Sequence, residues 1–116
     1  MSSIDACLAD ISQANERILA QPVERRRAHI VERTVSVVVP DVATVFDMRL
    51  TVDGLTDITQ RSIGTPAPEP QVRVTVSSSD LADLAADRLD PARALLTRRL
   101  RVNASISDML RLRRVL

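Results

Sequence analysis

Side chains able to act as nucleophile, base or metal ligand are scarce in this chain of 116 residues: one histidine, one cysteine and a few spaced carboxylates. His29 follows Arg25, Arg26 and Arg27 near the end of a short helical stretch, a position that suits a surface residue better than a base. Cys7 has no partner for an internal disulfide, and its spacing along the first helical stripe suits a small buried hydrophobe. Asp80 with Asp83, and Asp87 with Asp90, are spaced as helix caps and first-turn acids favoured by the macrodipole. Acid/base catalysis needs carboxyls facing one cleft, whereas these read as exposed. No phosphate loop, dinucleotide fingerprint, zinc-ligand cluster or nucleophile elbow is present in the sequence. No catalytic residue, metal or cofactor is therefore expected, and the chain does not read as a self-sufficient enzyme.

Arginine is plentiful. All 16 Lys-or-Arg positions are Arg; residues 1–90 hold 9 of them against 14 acids, net −5, and residues 91–116 hold 7 against 1, net +6. Guanidinium groups pair with phosphates, so this basic end can meet anionic lipid headgroups, a nucleotide phosphate or nucleic acid. The absence of Lys points to a compositional bias, and Arg98, Arg99, Arg101, Arg111, Arg113 and Arg114 read mostly as solvated faces. Phe46 is the only aromatic residue, which argues against nucleic acid because bases have nothing to stack on. The same scarcity leaves a core of Val, Leu, Ile, Ala and Met, whose modest volumes can leave room between helices and sheet for a flexible aliphatic guest.

The elements that must position these residues follow from periodicity. Ile4, Cys7, Leu8, Ile11, Ile18 and Leu19 share one helical face, with Ser2 and Asp5 spaced as a capping box. Pro22 suits the first turn of a short helix ending near Ile30. From Thr34 the period becomes two: Val35, Val37 and Val39 alternate up to Pro40, and Phe46, Met48, Leu50 and Val52 alternate with polar residues. A three-residue loop of Val52, Asp53 and Gly54 sets Met48 against Ile58 in a third strand, about Leu55 to Gln60. Pro66, Pro68 and Pro70 make residues 61–71 an extended, exposed loop. Val72, Val74 and Val76 form a fourth strand, Ser77 to Ser79 offer N-caps, and Leu81, Leu84 and Ala85 begin a helix. Asp90-Pro91 caps a short helix through Ala94, Leu95 and Leu96. Leu100, Val102 and Ala104 form a fifth strand, and a capping box of Ser105 and Asp108 opens a last helix carrying Ile106, Met109, Leu110 and Leu116 on one face. The whole is one domain over residues 1–116, with N-terminal helices in 1–33 and the sheet with its covering helices in 34–116. With no secretory signal and no apolar run of membrane-spanning length, a cytoplasmic address is expected.

The order of these short signals resembles the sterol carrier protein type 2 family over about residues 34–116. The resemblance rests above all on Val72-Arg-Val-Thr-Val-Ser-Ser-Ser-Asp-Leu-Ala-Asp-Leu-Ala, then Leu89-Asp-Pro-Ala-Arg-Ala-Leu-Leu and Leu100-Arg-Val-Asn-Ala. It implies an α/β (α+β) fold: a five-stranded, largely antiparallel sheet covered by helices on one face, enclosing an apolar tunnel for a sterol, fatty acid or fatty acyl-CoA. The walls it implies are Phe46, Met48, Leu50, Val74, Val76, Leu81, Leu84, Leu95, Leu100, Val102, Met109 and Leu110, with Arg98, Arg99 or Arg101 meeting a headgroup. The family usually has glycine before the Pro-Ala helix, before the basic strand and after it, where this chain has Asp87-Arg88, Arg98-Arg99 and Asn103-Ala104. Losing glycine removes easy left-handed geometry at those corners.

Three functions fit these features. The first is non-enzymatic binding or transfer of a hydrophobic small molecule, with transient contact at a membrane surface. The second is an interaction or dimerisation module of the same fold with a filled core. The third, and weakest, is nucleic-acid binding through the basic tail. A Leu100→Arg change, expected to put a charge in the tunnel, should abolish uptake under the first. The oligomeric state is left open.

Overall fold

The structure is a computed structural model that describes residues 3–115, with side chains described as far as Arg111. Helix α1 (Ile4–Ala20) and α2 (Val23–His29) precede β1 (Arg33–Val39). A single 3-10 turn (Pro40–Val42) leads to β2 (Thr44–Thr51) and β3 (Gly54–Ser62). After the proline-rich crossing come β4 (Val72–Val76), α3 (Ser78–Ala85), α4 (Pro91–Leu96), β5 (Leu100–Asn103) and α5 (Ile106–Val115). The sheet runs β3-β2-β1-β4-β5, antiparallel except for the β1·β4 pair. This is the α+β, largely antiparallel architecture that the alternating strands and amphipathic helices require.

One sheet face carries Val35, Val37, Val39, Phe46, Met48, Leu50, Val72, Val76 and Leu100, which form the core with Cys7 and Ile11 of α1, Leu81 of α3 and Ala94 of α4. The opposite face is mostly polar, with Val38 and Val45 paired on it as apolar exceptions. Across β1 and β2, Ser36 Oγ donates to Asp47 Oδ1 at 2.6 Å and Arg61 Nε to Asp47 Oδ2 at 2.7 Å. Burial pushes the Asp47 carboxyl up, and the bonds from Arg61 and Ser36 outweigh it, leaving its pKa lowered. Residues 63–71 start where Ser62 faces Thr44 and finish where Val72 faces Val35, so they travel the length of the sheet. Arg61 also donates to the Thr65 carbonyl, which ties this crossing to the polar face.

The hairpin differs from the sequence reading. The loop has two residues, Val52 and Asp53, closed by Thr51 opposite Gly54. The extra residue lies further on: Arg49 pairs with Thr56 and Asp47 with Thr59, so Asp57, at φ 54°, and Ile58 together face Met48. The reason is phase. Leu55 and Ile58 both pack on the core, yet an odd separation places them on opposite faces unless a bulge intervenes.

At the start of α1 the cap is Ser3, whose Oγ accepts from Ala6 N; Ser2 of the expected capping box lies outside the described residues. Leu19, expected on the buried stripe, is 43% exposed; the neighbouring Ile18 packs against the core instead. Ser77 and Asp90 cap α3 and α4 as their spacing predicts. Two of the three corners lacking glycine keep left-handed geometry, with Asp87 at φ 61° and Arg98 at φ 60°. After α3, Arg88 N donates to Asp83 O and Asp87 N to Leu84 O; after α4, Arg99 N donates to Ala94 O and Arg98 N to Leu95 O. Both are Schellman motifs whose geometry outweighs the Cβ penalty. Helix α5 begins as expected, with Asp108 N donating to Ser105 Oγ. The Asp108 carboxylate, however, accepts from Arg33. Leu116 and the side chains of Arg113 and Arg114 lie outside the described residues.

Candidate functional site

Strand register builds one continuous row across the core face: Phe46 faces Val37, Val37 faces Val74, and Val74 faces Val102. Exposure rises along it, from 0% at Phe46 through 9% at Val37 to half-buried Val74 and Val102. The rows on either side stay closed at β4, with Val72 and Val76 both buried. The apolar face therefore opens at β4–β5. Helix α3, which contributes the half-buried Leu84, leaves β4 there, α4 packs on β5, and α5 follows β5 in the chain.

This geometry divides the residues proposed as tunnel walls. Phe46, Met48, Leu50, Val76, Leu81 and Leu100 belong to the packed core, each at most 9% exposed. Val74, Leu84 and Val102 are half-buried and packed against that core. Leu95, Met109 and Leu110 are exposed, and so are Leu96 and Ile106, at 85% and 80%. The helical face of Ile106, Met109 and Leu110 is thus solvent-facing over the described turns of α5. Helix propensity and apolar spacing reveal such a stripe but not whether anything covers it.

The three arginines gather at an open pocket of about 380 Å³ at the Pro40 end of the sheet, lined also by Asp41, Thr75, Val76, Ser77 and Asp80. Thr75 faces Arg101 across β4–β5, and alternation with Val74, Val76, Leu100 and Val102 puts both on the face turned away from the core. Arg99 Nη2 reaches Asp80 Oδ1 at 2.6 Å and Asp83 Oδ2 at 3.7 Å. The bond to Asp80 raises the Arg99 pKa. Asp80, read from sequence as an exposed first-turn acid, is instead half-buried against this arginine. Asp41 accepts from both N and Oγ of Ser78, which holds its carboxyl below the usual range. The guanidinium groups of Arg98 and Arg101 have no hydrogen-bonding or ionic partner among the described residues. The sequence reading missed Thr75 here, although its place out of phase with three valines was the available signal.

Cys7 and His29 stand apart from both regions. Cys7 is buried in the core, and burial, with Asp10 and Asp41 nearby, pushes its thiol up and away from nucleophilic use. His29 ends α2 half-buried. Among the described residues no group of three or more His, Cys, Asp or Glu is placed to hold a metal, and no helix is long and apolar enough to cross a membrane.

The SCP-2 sterol transfer family matches residues 11–116, and the chain belongs to that family. No curated protein sequence matches. Among solved structures, sterol carrier protein 2 like 2 from Aedes aegypti is similar at TM-score 0.65 and 16% identity, with 96% of each chain covered. The palmitated form of the Aedes aegypti protein gives TM-score 0.58 at 17% identity, covering 97% of this chain and 91% of that one. A stereoselective inverting sec-alkylsulfatase from Pseudomonas sp. gives 0.57 at 21% identity; it covers 81% of this chain, which spans only 13% of the sulfatase. At these identities the likeness is one of fold.

Proposed function

We propose that this domain binds a lipid with a long aliphatic portion, a sterol or fatty acyl chain, on the core face of β4–β5, and that it carries the ligand without transforming it. The observation that carries this reading is the half-buried Val74–Val102 pair, an apolar step at the edge of an otherwise closed core. Each methylene removed from water there contributes about 0.8 kcal/mol, so a long chain needs no specific polar partner and selectivity is loose. Membership of a sterol transfer family and the palmitated state of a fold relative support the same ligand class. The walls under this reading are Val74, Leu84 and Val102, extended by Leu95, Met109 and Leu110 when a guest draws α4 and α5 inward.

Native mass spectrometry of the purified protein tests it, followed by titration with a fluorescent fatty acid. A lipid-sized adduct and saturable uptake at micromolar protein are expected; a bare mass with no uptake overturns the reading. One observation favours a second reading. Leu96 and Ile106 are among the most exposed large apolar side chains, as an interaction module would require, and the sulfatase match places this fold within a longer enzyme chain. A bare mass together with self-association or a protein partner would support that role.

A further inference from the structure

The charge accounting of the Pro40-end pocket is uneven. Its two carboxylates are already engaged, Asp80 by Arg99 and Asp41 by Ser78. Arg98 and Arg101 remain, two unpaired guanidiniums lining one concave surface beside the Thr75 and Ser77 hydroxyls. Arg25, Arg27 and Arg93 are likewise unpaired among the described residues, but none of them lines this pocket. Like charges brought together without a counter-ion repel, and an anion between them removes that cost.

The backbones bearing these two side chains are fixed. Arg101 sits in the β4–β5 ladder opposite Thr75. Arg98 occupies the left-handed position of the turn after α4, held by its own N–H to Leu95 O and by Arg99 N–H to Ala94 O. A Cβ at φ 60° is disfavoured where glycine would be free, so an arginine is carried there at a conformational cost. Each guanidinium offers five N–H donors in a planar fork that matches the oxygens of a tetrahedral oxyanion.

We propose that this pocket binds a phosphoryl group, with Arg98 and Arg101 as its clamps and Thr75 as a neutral donor. The site lies at the Pro40 end of the sheet, with Thr75 and Arg101 on the face turned away from the apolar β4–β5 surface, and does not depend on lipid carriage. The same group can come from a soluble phosphorylated molecule or from the phosphomonoester headgroup of a lipid in a membrane.

Two probes separate the sources: inorganic phosphate, read by NMR shifts and thermal melts against chloride at equal ionic strength, and phosphatidylcholine vesicles with or without phosphatidic acid, read by co-sedimentation. Wild-type protein is expected to respond saturably to at least one. Arg98→Gly suits the left-handed turn and Arg101→Thr suits the strand, so both should fold; each should weaken the response by about tenfold or more, the loss of a charge-assisted hydrogen bond. Response to phosphate alone identifies a soluble ligand, and response to phosphatidic acid vesicles identifies a headgroup; either supports the site. No response beyond chloride and phosphatidylcholine overturns it, and so does an undiminished response in Arg98→Gly, which decides alone should Arg101→Thr misfold. Fatty-acid uptake is expected to be unchanged in both variants. Uptake lost with them would make this pocket the mouth of the lipid site and overturn its independence.

Discussion

Arg33, the first residue of β1, donates its Nε to both carboxylate oxygens of Asp108 in α5, at 2.9 and 3.0 Å. This bond ties the final helix to the sheet beside α2, and it holds the Asp108 carboxyl below the usual carboxylate range, with help from the Ser105 hydroxyl and Arg111 and despite burial. A carboxyl whose pKa is lower folded than unfolded stabilises the fold above its ordinary value, about 3.9, and that stabilisation is lost as pH falls through the lowered one. Asp108→Asn is therefore expected to cost about 1–3 kcal/mol at neutral pH and to flatten part of the acid-side fall in stability. Asp41 and Asp47, also lowered, would retain the remainder. Urea melts from pH 3 to 7 check both parts; an unchanged pH profile would show that α5 does not depend on this pair.

Gly54 and Gly64 have nearly the same backbone, φ 95° and 90°, in different surroundings. A Cβ at Gly54 would overlap Asn15 Oδ1, the atom that accepts from Leu55 N at 2.8 Å, whereas at Gly64 it would meet nothing within 4 Å. Gly64→Ala should thus register only left-handed strain, about 1 kcal/mol. Gly54→Ala adds displacement of Asn15 and the loss of its hydrogen bond, for a total of about 2–4 kcal/mol. Equal losses in denaturant melts would mean that α1 does not press on the hairpin.

The same hairpin shows where the sequence stops being legible. Alternation locates β1, β2 and β4 because every second residue faces the core, and Ser77, Asp90 and Ser105 mark helix starts through short-range chemistry. The odd spacing of Leu55 and Ile58 calls for a bulge, but the hold on the two-residue turn comes from Asn15, which accepts from Leu55 N forty positions away in the chain, and no local pattern records that. The site divides in the same way. Val74, Val76 and Val102 are equally apolar in sequence, yet Val76 is sealed and the other two are half-buried, because cover comes from helices packed at a distance. The acid at position 80 likewise reads as a first-turn residue until Arg99, nineteen positions on, closes over it.

Asp87 holds the left-handed position after α3 with a side chain 85% exposed, and its contact with Arg17 is a loose 3.9 Å. Both hydrogen bonds of that turn come from main-chain N–H groups, so the side chain contributes little to it. Asp87→Gly should raise stability by about 0.5–1 kcal/mol, relief of the Cβ penalty being partly offset by greater freedom of the unfolded chain. A matched loss in thermal melts would mean that the ion pair with Arg17 outweighs the strain.

Burial also decides which substitution tests lipid carriage. Leu100→Arg, the change the sequence suggests, forces a charge into a core position with 7% exposure and should unfold the domain, leaving uptake uninformative. Val102→Asp acts at the half-buried end of the same strand, where the carboxylate can stay wet; about 1–2 kcal/mol of stability should be lost while the fold persists. A bound acyl chain would lie against that position, so fatty-acid affinity should fall by at least about tenfold. Val102→Thr, nearly the same shape with one hydroxyl, should fall between. Leu96→Ser lies outside the proposed walls and should leave uptake untouched. Mass action adds an independent check, because a ligand that binds only the folded state raises its melting temperature in proportion to occupancy. Fatty acid should therefore stabilise the wild type and Leu96→Ser but scarcely move Val102→Asp. Equal stabilisation of all three would remove β4–β5 as the binding surface.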